Sequence, residues 1–547
     1  MKKELIKIIE DSLKTLGIET PPHIELEVPP QKSMGDLATP VAMSLSASLK
    51  KPPRKIAEKI VDSIKNKTAF EKIEIAGPGF INFKFSKEYL YAELRKLIEH
   101  KSSFLREDIG KGRRVQIEFI SANPTGPLHL GHGRGGATGE ALSNLLKAAG
   151  YNAEREYYIN DAGKQVKLLG LSVFARYQQL HGVEYPFPEE GYRGEYIEEI
   201  ANSIIKEDGD KYLKASFEEV SDFFIDHSYK KILSGIEKDL KDFGITFDTW
   251  QSEKDLYKNK EVEKAIEDLK DKGFIYERDG ATWFKSMDFG DDKDRVIIKQ
   301  DGEYTYFTSD IAYHRKKIEK GYDEIIDIWG ADHHGYIQRV QAVIEAFGYP
   351  KGKLRILLVQ MVTLLRGGKP VQMSKRAGEF VTLREVIDEV GPDTTKFFFL
   401  TRRPDSHLEF DLEVAKARSS ENPVFYVQYA NARINSIFAH AREKEVNTDR
   451  LYDVDIKLLS ADEELMIIRK LLLYPMIFEG AVNACEPHRI TFYLQELSGM
   501  FHPYYNKYRV VSDDIELSRA RLALCKAIRI VLQDGLEILG ISAPEKM

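Results

Sequence analysis

Apolar and polar positions follow three different rhythms along the chain. In the first, "MKKELIKIIEDSLKTLG" has aliphatic residues at helical spacing and ends at Gly17, and a second helix starts behind Pro52-Pro53. "KIEIAGPGFINFKF" then reads as two strands about a Gly-Pro-Gly turn; Ile81, Phe83 and Phe85 alternate with Asn82 and Lys84, as in a half-buried strand. The second rhythm begins at Val115. "VQIEFI" precedes "GGATGEALSNLLKAAG", "REYYIND" precedes "AGKQVKLLGLSVFARYQQL", and "EIIDIWG" precedes "GYIQRVQAVIEAFG"; the run "LRILLVQMVTLL" follows. Apolar strands separated by helices predict a parallel, doubly wound sheet, which binds ligands beyond its strand carboxyl ends where the strand order reverses. Beyond about Asp411 strand signals vanish and apolar residues recur every three or four positions.

The expected architecture is therefore α/β. An α+β domain covers 1–110, a Rossmann-like domain 111–410, and an all-helical domain 411–547. A charged helical insertion falls at about 185–257, and the polar stretch "HKSSFLREDIGKGRR" reads as a linker. Length agrees with several domains, because 547 residues exceed the roughly 250–300 that one core supports.

Composition narrows the class. No apolar run approaches the roughly 18–20 residues that span a bilayer, and the first helix is amphipathic, unlike a signal peptide. Only Cys485 and Cys525 occur, without a CxxC, which argues against a disulfide framework or thiolate zinc site and fits a cytoplasmic setting. The net charge of −7 leaves room for local basic patches such as "KKPPRK", "KGRR" and "HRKK", although each reads first as an ordinary solvated face.

The chemistry concentrates where the first parallel strand meets its helix, in "FISANPTGPLHLGHGRGG". Gly131 to Gly136 matches the dinucleotide fingerprint G-x-G-x-x-G, with Glu154 and Glu156 at the distance of a ribose ligand. The match is weak, because some ten residues separate Ile120 from Gly131 and the first glycine belongs at the strand end. A second reading uses His129 and His132, three apart at a helix start. Imidazole donors and free backbone N–H groups there make a cradle for phosphates and stabilise charge on a transferring phosphorus. A zinc pair fits less well, since other candidate ligands are scattered. Far downstream, "GGKPVQMSKRAGEF" puts Lys375 and Arg376 on a glycine-flanked loop after a strand.

Taken together, "HLGH" and "QMSKR" resemble the two signature motifs of class I aminoacyl-tRNA synthetases, and the chain closely resembles the arginyl-tRNA synthetase family over nearly all its length. "SMGDLATPVAMSLS", "YYINDAGKQ", "GYRGEYI", "WGADHHGYI", "KPVQMSKRAGEFVTL" and "ENPVFYVQYANARI" carry that likeness. It implies ATP-dependent formation of arginyl-adenylate, then transfer to the 2′-hydroxyl of the terminal adenosine of tRNA(Arg). ATP enters as its Mg²⁺ complex, with no tightly bound metal or organic cofactor. By the same resemblance His129, Gly131, His132, Gly330, Asp332, Met373, Ser374 and Lys375 bind ATP, and His129, His132 and Lys375 are catalytic. Glu118, Asn123, His129, Tyr306, Asp310 and His334 surround L-arginine, with Glu118 and Asp310 as a carboxylate pair suited to a planar fork of donors. Tyr429, Asn431, Tyr505 and Met547 face the tRNA anticodon, while the N-terminal domain touches the tRNA elbow.

The resemblance also implies a monomer with no membrane partner. Three positions depart from the family pattern. Gln372 replaces the usual first lysine of the second motif. Pro124 to Leu128 lacks the lysine that some relatives carry there, and His334 stands where some relatives have glutamine.

Overall fold

The structure is a computed structural model that describes residues 1–20, 22–64, 67–371 and 381–547. Near the N-terminus β1 (Leu37–Thr39), β3 (Phe80–Phe85) and β2 (Phe70–Ala76) form an antiparallel sheet in that order. Ile81, Phe83 and Phe85 are buried, as their alternation predicts. The polar stretch after it is docked rather than free. Leu105 is fully buried, and Arg106 pairs with Asp534 at 2.7 Å and Glu537 at 2.8 Å on the helix Ile515–Ile538.

The central sheet contains β4 (Arg114–Glu118), β5 (Asn152–Ile159), β6 (Thr249–Ser252), β10 (Glu324–Gly330) and β11 (Leu354–Val359). All its pairings are parallel, and the order is β11-β10-β4-β5-β6. Strands after β4 run outward one way to β6 and then the other way through β10, so the reversal lies between β4 and β10, where ligands bind in such sheets. β4 occupies the middle and buries Val115, Gln116 and Ile117, as a strand covered on both faces should.

Two features differ from the periodicity. Between β6 and β10 an antiparallel sheet of β7 (Ile275–Arg278), β8 (Ala281–Phe284) and β9 (Arg295–Ile298) has its own core, in which Leu269, Phe284 and Ile297 pack against Phe307 and Ile311. The run "LRILLVQMVTLL" is two strands in two sheets. β11 ends at Val359, and β12 (Val362–Arg366) pairs with β13 (Lys369–Pro370) and β14 (Leu408–Asp411). The break is fastened at Gln360, whose N–H donates to the Pro404 carbonyl at 2.7 Å while its own carbonyl accepts from Arg134 at 2.9 Å.

Helices Glu195–Asp208 and Phe217–Asp242 lie within the span 185–257 read as an insertion, but that span overruns the central sheet, which the chain re-enters at Thr249. The end of the chain is helical, with long helices over Pro423–Glu443, Asp462–Ala484, His488–Lys507 and Ile515–Ile538. No described helix is long and apolar enough to cross a membrane.

Candidate active site

The histidine pair is reached from the exit of β4. Ile120 and Ser121 follow it with φ of 70° and 40°, a conformation that side chains rarely adopt and that turns the chain sharply out of the sheet. The loop then enters the helix Leu130–Ala148 with His129 as its N-cap. Gly131 N–H donates to His129 Nδ1 at 3.1 Å, and His129 N–H donates to His132 Nδ1 at 3.3 Å. An imidazole that accepts at Nδ1 in its neutral form holds its hydrogen on Nε2, so both rings are set as Nε2 donors. They stack at 3.7 Å with planes 20° apart, on the helix end that attracts anions.

The start of this helix is held from below and from the side. Arg134 is wholly buried and donates to the carbonyls of Gln360, Ser406 and Arg403 at 2.9, 2.8 and 2.8 Å. Among the described residues no carboxylate is hydrogen-bonded to it, and burial lowers its guanidinium to about 10. Thr382 bridges His129, and Leu383 N–H donates to the Leu128 carbonyl at 2.7 Å. Leu383 and Phe399 lie so close to Gly133 that an added Cβ would meet them at 2.6 and 3.0 Å. The chain on leaving residues 372–380 is thus pinned beside His129. Gln372, Met373, Ser374, Lys375 and Arg376 themselves lie outside the described residues.

An acidic group of side chains gathers at the carboxyl ends of β4, β5 and β6. Glu118, expected to face arginine, is turned inward. It accepts from Ser121 Oγ at 2.7 Å, from Tyr313 Oη at 3.0 Å, and from Lys317. Lys317 is fully buried and also donates to Asp327 at 2.7 Å; burial opposes its charge, but Asp327, Glu118 and Glu156 outweigh that and hold it above the usual lysine range. Glu118 is therefore the floor of the site, committed to internal donors.

Asp310, in the first turns of the helix Tyr306–Glu319, accepts a hydrogen bond from Tyr336, and burial pushes its carboxyl up. Tyr306 starts that helix and is 61% exposed beside Gly163, at the rim. Asn123 donates to Gln165 at 2.7 Å on the same rim. Gly330, Asp332 and His334 lie exposed at the turn after β10, where Asp332 folds back over Gly330.

Sequence reasoning missed Glu253. It opens the helix Glu253–Lys258 directly after β6, is almost fully buried, and its Oε2 has no hydrogen-bond partner among the described residues. Burial pushes its carboxyl up to about 7, with Ser309 opposing and Asp310 and Asp161 adding to the rise. Only the topology, which brings the end of β6 beside β5 and the helix of Asp310, could have found it.

On the helical domain, Tyr429 and Tyr505 sandwich Arg433, whose guanidinium lies 4.5 and 4.7 Å from the two ring centroids. His502 stacks against Tyr429 at 5.8 Å and approaches Arg433 at 3.3 Å. This makes a surface of rings and cation of the kind that holds unstacked bases. Asn431 is not part of it. Its side chain is fully buried and donates to the carbonyls of Ala543 at 3.2 Å and Pro544 at 2.8 Å, so it holds the tail that leads to exposed Met547.

A parallel sheet with this reversal, a stacked histidine pair capping the helix at that point, and a helical domain with a ring-and-cation surface define a class I aminoacyl-tRNA synthetase. Residues 93–399 match the family "tRNA synthetases class I (R), catalytic domain", residues 3–85 the "Arginyl tRNA synthetase N terminal domain", and residues 427–547 the "DALR anticodon binding domain". The chain belongs to the arginyl-tRNA synthetase family.

It is 49% identical over 554 residues to an arginine–tRNA ligase of Syntrophotalea carbinolica, covering all of both chains. To one of Citrifermentans bemidjiense it is 51% identical over 528 residues, with 96% and 95% covered. Among solved structures, a putative arginyl tRNA synthetase from Campylobacter jejuni superposes with a TM-score of 0.78 at 35% identity, over 85% of this chain and all of the other. The Thermus thermophilus arginyl-tRNA synthetase shares the fold, with a TM-score of 0.79 at 21% identity over the whole of both chains.

Proposed function

We propose that the protein joins L-arginine to tRNA(Arg) at the expense of ATP for protein synthesis, working as a monomer in the cytoplasm. In the first step the arginine carboxylate attacks the α-phosphorus of ATP, which arrives as its Mg²⁺ complex, and pyrophosphate leaves. In the second, the 2′-hydroxyl of the terminal adenosine takes the arginyl group and AMP leaves. Phosphoryl transfer asks a protein mainly for positioning and charge stabilisation. His129 and His132 do this through Nε2 donors at the helix start, and Gly131 lets the nucleotide approach. Gly330 and Asp332 border the nucleotide from the β10 turn, and by resemblance Met373, Ser374 and Lys375 complete the phosphate side.

For the amino acid, Asp310 and Glu253 are the carboxylates that take the guanidinium. Tyr306 and His334 form the rim, Asn123 holds the α-amino or carboxylate end, and Glu118 supports them from below. The observation that carries this assignment is the buried Glu253 oxygen without a partner beside Asp310, since leaving such a group unmet costs about 1–3 kcal/mol or more. Tyr429 and Tyr505 with Met547 meet the anticodon side of the tRNA, and Asn431 acts through the tail it holds.

The test is arginine-dependent ATP–pyrophosphate exchange, with and without tRNA(Arg). Exchange with arginine under either condition is the expected result. Exchange with a different amino acid, and none with arginine, overturns the substrate assignment.

A further inference from the structure

A second buried polar atom without a partner lies where Glu253 does. Tyr158 is at the carboxyl end of β5, in register with Gln251, two residues before Glu253. Its N–H donates to Ser121 Oγ at 3.1 Å, and that hydroxyl donates to Glu118. Its ring packs 4.3 Å from that of Tyr313, one turn along the helix from Asp310. The side chain is nine-tenths buried, and its hydroxyl reaches no donor or acceptor among the described residues. The charges acting on it most strongly are Glu253, Asp310 and Glu118, in that order.

As a core residue this tyrosine is a poor choice. Phenylalanine would fill the same space without stranding a hydroxyl among carboxylates. The chemistry missing from the site is that of the substrate. A guanidinium has five N–H donors in one plane, and two carboxylates engaged through paired bonds take at most four.

We propose that Tyr158 is a specificity-determining residue whose phenol oxygen accepts a hydrogen bond from the guanidinium N–H that Asp310 and Glu253 leave over. The inference rests on the arginine reading of this site and extends it. Because the oxygen of a neutral phenol adds an acceptor without adding negative charge, it favours a many-donor cation over the compact ammonium of lysine.

The experiment is Tyr158→Phe in the full-length enzyme. It is read by the KM for arginine and for ATP in pyrophosphate exchange with tRNA(Arg), the inhibition constant of lysine, and the melting temperature. The expected result is a KM for arginine raised about tenfold, with ATP KM, kcat and lysine inhibition unchanged. The melting temperature holds or rises, because a stranded hydroxyl has been removed. An unchanged arginine KM overturns the role of Tyr158 while leaving the arginine reading in place. A raised KM accompanied by a lower melting temperature and a raised ATP KM overturns it too, because the hydroxyl is then structural. Failure of the unsubstituted enzyme to exchange with arginine removes the underlying reading instead.

Discussion

Arginine binding should depend on pH through Glu253. In the ligand-free protein burial sets this carboxyl at about 7, whereas a guanidinium against it holds it ionised. Binding below that value must first expel a proton, so the arginine KM grows as 1 + 10 to the power (7 − pH). That is a factor of about 11 at pH 6, 2 at pH 7 and 1.1 at pH 8, or about 1.4 kcal/mol for each pH unit on the acid side. The assay is pyrophosphate exchange with ATP and tRNA saturating, at pH 6 to 8, where the substrate's own groups do not titrate. Glu253→Gln should raise the KM at pH 8 and flatten the slope, leaving at most the part that Asp310, also pushed up by burial, supplies. The same substitution should raise the melting temperature at pH 8. A folded-state carboxyl above its ordinary value contributes stability only while protonated, and that contribution is lost as pH rises from 4.5 through 7. A flat profile in the unsubstituted enzyme, or a slope that Glu253→Gln leaves unchanged, refutes the reasoning.

Other substitutions test the remaining parts. Arg134→Met strands the carbonyls of Gln360, Ser406 and Arg403 and should cost several kcal/mol at about 1–3 kcal/mol per unmet group, seen as a lower denaturant midpoint; Arg134→Lys restores only part. Gly139→Ala puts a Cβ about 2.2 Å from the Phe119 ring and should destabilise by about 1–3 kcal/mol, measured by thermal melting. Tyr429→Ala should raise the KM for tRNA roughly 5- to 150-fold, the loss of one base stack at about 1–3 kcal/mol, with no change in the KM for ATP. His129→Gln should lower kcat about 10²–10³-fold in pyrophosphate exchange, with the melting temperature unchanged.

Periodicity carried the parallel sheet and the helical end of the chain because burial there repeats along a single element. Motif spacing carried the histidine pair, since the helix N-cap and its third residue are neighbours in sequence. What escaped depends on which distant strands become neighbours. Glu253 opens a short helix after a four-residue strand, and nothing in "TWQSEKDLY" marks it as an acid to be buried beside Asp310. Glu118 stands at the right strand end, yet Lys317, about two hundred residues away, takes its charge. Asn431 looks like a polar helix residue facing RNA, and its burial comes from a tail more than a hundred residues on. Four-residue strands around "ERDGATW" are too brief for alternation to declare a sheet with its own core.

The left-handed backbone at Ile120 has a bearing on how related sequences drift. Its side chain and that of Ile245 close over Gly136, and a methyl group there would come within 2.9 Å of each. Position 136 can enlarge only if the Cδ1 ends of Ile120 and Ile245 give way, and a glycine at 120 would relax the backbone while opening the space that alanine at 136 needs. The three positions should therefore change in concert across an alignment: a larger residue at 136 should travel with a smaller one at 120 or 245. An Ile120→Gly, Gly136→Ala pair should retain more activity than Gly136→Ala alone.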